Sequence, residues 1–175
     1  GRSVKQMLIT SLGRKTLTPG ILQGPGHGLV TRHTRKEDDT VLMLAGTLVF
    51  PMQGFINGGT GNAQCFAAYS TDSGKTWQAT GLTPYGTNAQ ENCVIELDDG
   101  SWLLMCKGGT WGAGKGTRLV YRTTDFKQWN ALKSDTNIIH VQGSALRIGT
   151  HTDGASRYVK CHQLDPDTRA RLTLI

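Results

Sequence analysis

Carboxylates, thiols, histidines and a few cations are the side chains here that could do chemistry. Asp72 stands in Ser70-Thr71-Asp72-Ser73-Gly74-Lys75-Thr76-Trp77, and a turn carboxylate can serve as a general acid or base. The same residue types also make a purely mechanical turn. Asp72 can accept backbone N–H bonds from its own turn, Gly74 can take a positive φ, and Trp77 can fix the turn by packing its ring between sheets. That role accounts for every constrained position, so the motif bears on architecture, as a turn between the third and fourth strands of a sheet. A shorter copy without the glycine follows at Thr123-Thr124-Asp125-Phe126-Lys127-Gln128-Trp129.

Two further carboxylates flank the apolar run Asn92-Cys93-Val94-Ile95. Glu91 precedes it and is either a base at a strand start or an exposed loop carboxylate; Glu96 lies inside the strand and reads as structural. Cysteines at 65, 93, 106 and 161 form no CxxC pair, so their spacing offers no zinc site. Cys93, Cys106 and Cys161 fall on strands and read as small buried apolar residues. His27, His140 and His162 fall near loops that could line a pocket, without metal-ligand spacing, and no metal or other cofactor is expected.

These residues need a scaffold, and a repeat provides it. Short apolar runs recur in three rows: 27–30, 92–97 and 143–148; 46–50, 100–105 and 157–161; 65–70, 117–122 and 171–175. Gly46 to Gly100 is 54 residues, and both Tyr69 to Tyr121 and Trp77 to Trp129 are 52. Each run is bounded by turn formers, which reads as strand rather than helix. Helical periodicity is absent. Glycine, 23 of 175 residues, follows no three-residue period, so collagen and low-complexity disorder are excluded. A period near fifty residues with about four strands marks β-propeller blades. The expected fold is all-β, with about three blades at 24–80, 88–133 and 139–175, and residues 1–23 as a connection or outer strand. Three blades leave open flanks, so further blades of the same protein are expected partners.

The formal charge is +6, but the basic residues are scattered and carry no recognition-helix or aromatic-basic pattern, which argues against nucleic acid. Such a field also draws anionic small molecules. No apolar run approaches the roughly 20 residues of a membrane helix, and residues 1–20 lack a signal-peptide core.

Taken in order, Gly24-Pro25-Gly26-His27-Gly28, Gly46-Thr47-Leu48-Val49-Phe50-Pro51-Met52-Gln53, the turn motif at 70–77, Glu91 through Ser101, and Gln142-Gly143-Ser144 resemble the exo-sialidases. The resemblance covers most of residues 24–148. It implies a six-bladed propeller that cleaves terminal sialic acids from glycans with retention, in a secreted or cell-surface protein. The family uses a tyrosine nucleophile assisted by a glutamate, an acid/base aspartate and three arginines that hold the substrate carboxylate. Glu91 matches the glutamate. Where the second arginine is expected, this chain has Lys107, which keeps the charge but not the planar two-point grip. Arg118 could supply the guanidinium instead, or be a surface arginine at a strand end. Arg171 resembles the third arginine, with Arg169 two residues away on the same face. Gln53 matches a residue that touches the sugar's glycerol side chain, and Gln142 occupies the place of Glu91 one blade later. The first arginine, the aspartate and the tyrosine fall outside this chain, and Tyr69 and Tyr121 are strand residues without the nucleophile's context. Three rival readings stay open: a noncatalytic carbohydrate-binding propeller, favoured by Lys107, a protein-interaction scaffold, and another glycosidase carrying the same turn motif.

Overall fold

The computed structural model describes residues 2–13, 20–37, 39–55, 63–108, 115–132, 135–139, 143–163 and 172–174. Along the chain come helix α1 (Val4–Ser11) and strands β1 (Ile21–Gln23), β2 (Leu29–Val30), β3 (Arg35–Glu37), β4 (Thr40–Met43), β5 (Leu48–Phe55), β6 (Ala63–Ser70) and β7 (Gln78–Ala79). They are followed by β8 (Gln90–Glu96), β9 (Trp102–Gly108), β10 (Lys115–Thr123), β11 (Asn130–Ala131), β12 (Asp135–Ile139), β13 (Ser144–Thr150), β14 (Ser156–Gln163) and β15 (Leu172–Leu174).

Every pairing is antiparallel and joins near neighbours in sequence. The first sheet is β1-β5-β6-β7 with β2 also on β5; the second is β8-β9-β10-β11 with β12 also on β10; the third is β13-β14-β15. The three rows of apolar runs are thus realised as the first, second and third strands of three successive sheets. In the first sheet the leading strand is split. β1 pairs with the far end of β5 and β2 with its near end. The glycine-rich stretch between them turns toward the second sheet: Gly24 N–H donates to the Pro51 carbonyl at 2.8 Å and Gly26 N–H to the Asn92 carbonyl at 3.1 Å.

Two elements differ from the sequence reading. Residues 4–11 form a helix, capped by the Ser3 side chain accepting from Gln6 N–H. At two turns it is too short to show a period, and its support is tertiary. Ile9 packs with Phe66 and with Leu12, Ile21, Met52, Ala79 and Leu82 on the outer face of the first sheet. Ser11 Oγ also accepts from Ala79 N–H at 2.8 Å. The second is the small β3–β4 hairpin, whose polar Arg35-Lys36-Glu37 run carries no strand pattern.

Sheets stack through their apolar faces. Val49, Cys65 and Ala67 of the first sheet meet Val94, Trp102, Leu104, Cys106 and Tyr121 of the second, with Phe126 and Trp129 between them. The other face of the second sheet, with Cys93, Ile95 and Met105, meets Ala145 and Tyr158 of the third. Cys65, Cys93 and Cys106 are buried free thiols, whereas Cys161 is only half-buried. Burial, followed by the neighbouring Cys65, pushes the Cys106 thiol well up, and burial takes Cys93 to about 11. Cys93 and Cys106 therefore act as packing residues and not as thiolate nucleophiles.

The turn at 70–77 joins β6 to β7, third strand to fourth. Thr76 Oγ1 donates to Asp72 Oδ2 at 2.6 Å and Thr76 N–H to Asp72 Oδ1 at 2.8 Å. Ser70 Oγ donates to Asp72 Oδ1 at 2.8 Å and accepts from Gly74 N–H at the same distance. Gly74 has φ +86°, and Trp77 Nε1 closes the turn on the Gly74 carbonyl at 3.0 Å. The Trp77 ring packs on Phe50, 5.5 Å between centroids. Both carboxylate oxygens of Asp72 are thereby engaged within the turn.

In the shorter copy, Phe126 stands at the position of Ser73. Both are left-handed, with φ +63° and +60°. For a side chain this conformation costs about 1–2 kcal/mol. Burying a phenyl ring returns roughly 1.5–3 kcal/mol, and Phe126 is 3% exposed, against Trp102 at 4.3 Å and Tyr69 at 5.4 Å between centroids. Burial wins. Trp129 beside it donates from Nε1 to Thr80 Oγ1 of the first sheet at 3.1 Å.

Two stability predictions follow from these turns. The Asp72 carboxyl is held down at about 2, first by the Thr76 hydroxyl and backbone, then by Ser70. A depressed carboxyl adds stability that is complete above its unfolded value near 4 and is lost as pH falls through the folded value. Asp72→Asn should therefore lower the urea midpoint at pH 7, with the gap to wild type closing between pH 4 and pH 2; a gap independent of pH would refute this. Gly81 donates to the Phe126 carbonyl at 2.8 Å, and a Cβ there would overlap the Lys127 carbonyl. Since backbone cannot swing aside as a side chain does, Gly81→Ala should cost about 2–3 kcal/mol, read from the same denaturation curves.

Candidate functional site

β8 opens on an irregularity. Gln90 lies opposite Lys107 and Asn92 opposite Cys106, so Glu91 is the extra residue of a β-bulge. Its φ is +36°, a conformation that costs of order 1–3 kcal/mol for a residue with a side chain and persists only where neighbours enforce it. Two neighbours do so. Gln53 Oε1 accepts the Glu91 backbone N–H, and Lys107 Nζ lies 3.1 Å from Glu91 Oε1. Bulges re-aim side chains and turn the strand locally. Here the carboxylate is left 31% exposed while the Lys107 side chain is 4% exposed.

Arg118 stands opposite Lys107 in the β9–β10 register. It is 3% exposed, so it is not a surface arginine. Its guanidinium reaches the start of the third sheet, where a Cβ on Gly143 would stand 2.5 Å from Arg118 Nη2. Gln53, Glu91, Lys107 and Arg118 therefore gather at one end of the first two sheets. Gln142, Arg171, Arg169 and His140 lie outside the described residues. Tyr69 and Tyr121 are raised by burial, Tyr121 to about 12, and both phenols are held neutral on their strands.

The far end of β8 carries a second polar cluster. Glu96, 3% exposed, accepts from Arg32 N–H at 2.7 Å, Arg32 Nε at 3.2 Å and His33 N–H at 3.0 Å. His33 Nδ1 lies 3.2 Å from the same carboxylate. Asp98 continues the chain of contacts to the third sheet, accepting from Ser156 Oγ at 2.6 Å and lying 3.7 Å from Arg147 Nε. The Ser156 hydroxyl, helped by Arg32 and Arg147, holds the Asp98 carboxyl below its ordinary value. A cavity of about 180 Å³ opens here among His27, Arg32, Val94, Glu96, Leu146 and Arg147. Glu96, the last residue of β8, is held in place by Arg32 and His33. Arg32 and Arg147 belong to no motif, and nothing in the sequence singles them out.

No protein-family model and no curated protein sequence matches the chain. Its backbone nevertheless superposes on solved sialidases. With a structure titled Hadza microbial sialidase Hz136 the TM-score is 0.67 at 22% identity, over 88% of this chain and 27% of that one. The chain has the sialidase fold. A Trypanosoma rangeli sialidase in complex with the inhibitor DANA aligns at TM-score 0.58 and 24% identity, over 74% of this chain and 21% of that one. The NanB sialidase of Streptococcus pneumoniae aligns at 0.61 and 20%, over 89% of this chain and 21% of that one. The chain thus spans about a quarter of the length of the sialidases it matches. Among its described residues no helix is long and apolar enough to cross a membrane.

Within this sialidase fold, the path from Arg118 to the third sheet depends on the absence of a side chain at Gly143. Gly143→Ala should push the guanidinium aside and destabilise the chain by about 1–3 kcal/mol. Gly143→Ala combined with Arg118→Ala, where the space is vacated, should lose less than the two single substitutions together. Strict additivity in denaturant unfolding would show that the two positions do not meet.

Proposed function

We propose that this chain is part of a six-bladed, retaining exo-sialidase-type glycoside hydrolase that releases terminal sialic acid from glycans. The observation that carries the reading is the gathering of Gln53, Glu91, Lys107 and Arg118 at one end of two adjoining sheets, in a chain of sialidase fold. About three blades are read here, 24–80, 88–133 and 139–175, with the rest of the propeller from the same secreted or cell-surface protein. Glu91 serves as the base that takes the proton of a tyrosine outside this chain. A neutral phenol, with an ordinary pKa near 10, is a poor nucleophile, so the carboxylate has a chemical purpose. A neutral nucleophile also suits an anionic sugar, which would repel an attacking carboxylate. Arg118, with Gln142 and Arg171, is read as lining the pocket that receives the substrate and its carboxylate, and the lysine at 107 stands beside them, paired to Glu91.

One observation favours a second reading, a sialidase-like propeller that binds carbohydrate without cleaving it. Lys107 stands where the family pattern has an arginine, and its ammonium is engaged by Glu91. A single set of assays separates the two. The complete protein should hydrolyse a fluorogenic sialoside, this chain alone should not, and Glu91→Ala in the complete protein should lower kcat/KM by about 10²–10⁴-fold. Sialic acid binding by calorimetry without turnover would establish the second reading. No binding and no turnover would leave a scaffold. Turnover by the isolated chain would overturn the division of labour proposed for the missing residues.

A further inference from the structure

We infer that Lys107 and Gln53 are positioning residues for Glu91, which hold its bulge and orient its carboxylate, and that neither contacts the substrate. This deepens the reading of the same site and rests on it for its catalytic consequence. Three observations point the same way. Lys107 Nζ is 3.1 Å from Glu91 Oε1, and the lysine side chain is 4% exposed even though this chain spans about a quarter of its structural neighbours. Further chain packed alongside can only reduce that exposure, so the ammonium has no open approach for a ligand carboxylate. The exposed member of the pair is Glu91, at 31%. Second, Gln53 Oε1 is occupied by the Glu91 N–H, and that bond is made to the residue whose φ is +36°. It is a side-chain bond to the backbone of a strained residue, where an acceptor acts directly on conformation. Third, register places Lys107 directly across from Arg118. Two cations side by side on neighbouring strands destabilise each other, and Glu91 offsets one of them at short range.

The division of roles has a chemical logic. An ammonium is a compact point charge, whereas a guanidinium can hold one anion through two parallel bonds. A lysine at 107 suits a one-point grip on the Glu91 carboxylate. The residue that faces the reaction is then Glu91, and its aim is set from behind by Lys107 through the side chain and by Gln53 through the backbone.

Two measurements test this independently of each other. In urea unfolding of the protein, Lys107→Met and Glu91→Gln should couple. The double variant should be at least about 5-fold more stable, in its unfolding constant, than the two single effects multiplied together predict. Gln53→Ala should couple to Glu91→Gly in the same way, because glycine relieves the positive φ that the bond enforces. Additive effects in both cycles would overturn the proposal whether or not the protein is a sialidase. In steady-state assays of the complete protein with a fluorogenic sialoside, Lys107→Met and Gln53→Ala should each lower kcat by about 10–100-fold. KM should stay within about 3-fold, as expected when ground-state binding is untouched. A rise in KM of about 10-fold or more with kcat preserved would identify them as substrate contacts and overturn it. Absence of turnover in the wild type would sink the sialidase reading, and the coupling measurement would still decide whether Lys107 and Gln53 hold Glu91.

Discussion

Burial of β8 on both faces is the constraint from which the rest of this structure follows. From Asn92 to Glu96 the strand is buried at every position, and alternate side chains leave in opposite directions. Val94 goes into the core shared with the first sheet, whereas Cys93 and Ile95 go into the core shared with the third. A sheet whose leading strand is apolar on both sides cannot end a stack on either side. It demands a neighbour on each, and the glycine-rich turn at 24–28 and the Gly143 junction let those neighbours approach. The polar ends of the strand then have fixed surroundings: Glu96 meets Arg32 and His33 of the preceding segment, and Glu91 meets Gln53 and Lys107.

The two turns that join third strands to fourth reach similar geometry by different means. In the complete motif the turn is held by polar bonds: Asp72 is filled by Ser70 and Thr76, and its exposed position leaves that network responsive to pH. In the shorter copy Thr123 and Asp125 keep part of the network, and the left-handed position is taken by a phenylalanine whose ring lies in the core. The outer turn is maintained by hydrogen bonds, the inner one by packing. Trp77 accordingly sits on the first sheet against Phe50, while Trp129 is the ring that bridges two sheets.

Much of this was legible in the sequence because the physics is local. Four-to-six-residue apolar runs between Gly and Asp, repeated near every fifty residues, leave few alternatives to antiparallel sheets in series, and the Asp72 turn declares its own geometry. The helix at Val4–Ser11 was not legible, since two turns carry no period and its stability comes from Phe66 and Ala79, far along the chain. The split of the first strand into β1 and β2 was hidden for the same reason. At the candidate site the residue types could be named, but their pairing could not. That Lys107 meets Glu91 depends on a one-residue bulge, which shifts a side chain by half a strand period and leaves no mark in composition. Arg118 is a case of ambiguity resolved: a strand-end arginine reads equally as exposed or buried until the third sheet is seen to close over it.

The bulge also shows why strain and charge belong together at this point of the fold. Continued without the bulge, the Asn92–Cys106 register would set Glu91 directly across from Lys107, in the row that also holds Arg118. Displacing it by one residue removes the carboxylate from the ladder while keeping it within reach of the ammonium. The conformational cost, of order 1–3 kcal/mol, is offset by an ion pair with one partner almost fully buried and by the Gln53 side chain of the first sheet, which accepts the Glu91 N–H. Removing Glu91 would take a close counter-charge from a buried ammonium, which costs more than the pair itself contributes. Glu91 and Lys107 are therefore interdependent in a way that two surface charges would not be, and a change at either is felt first by the other.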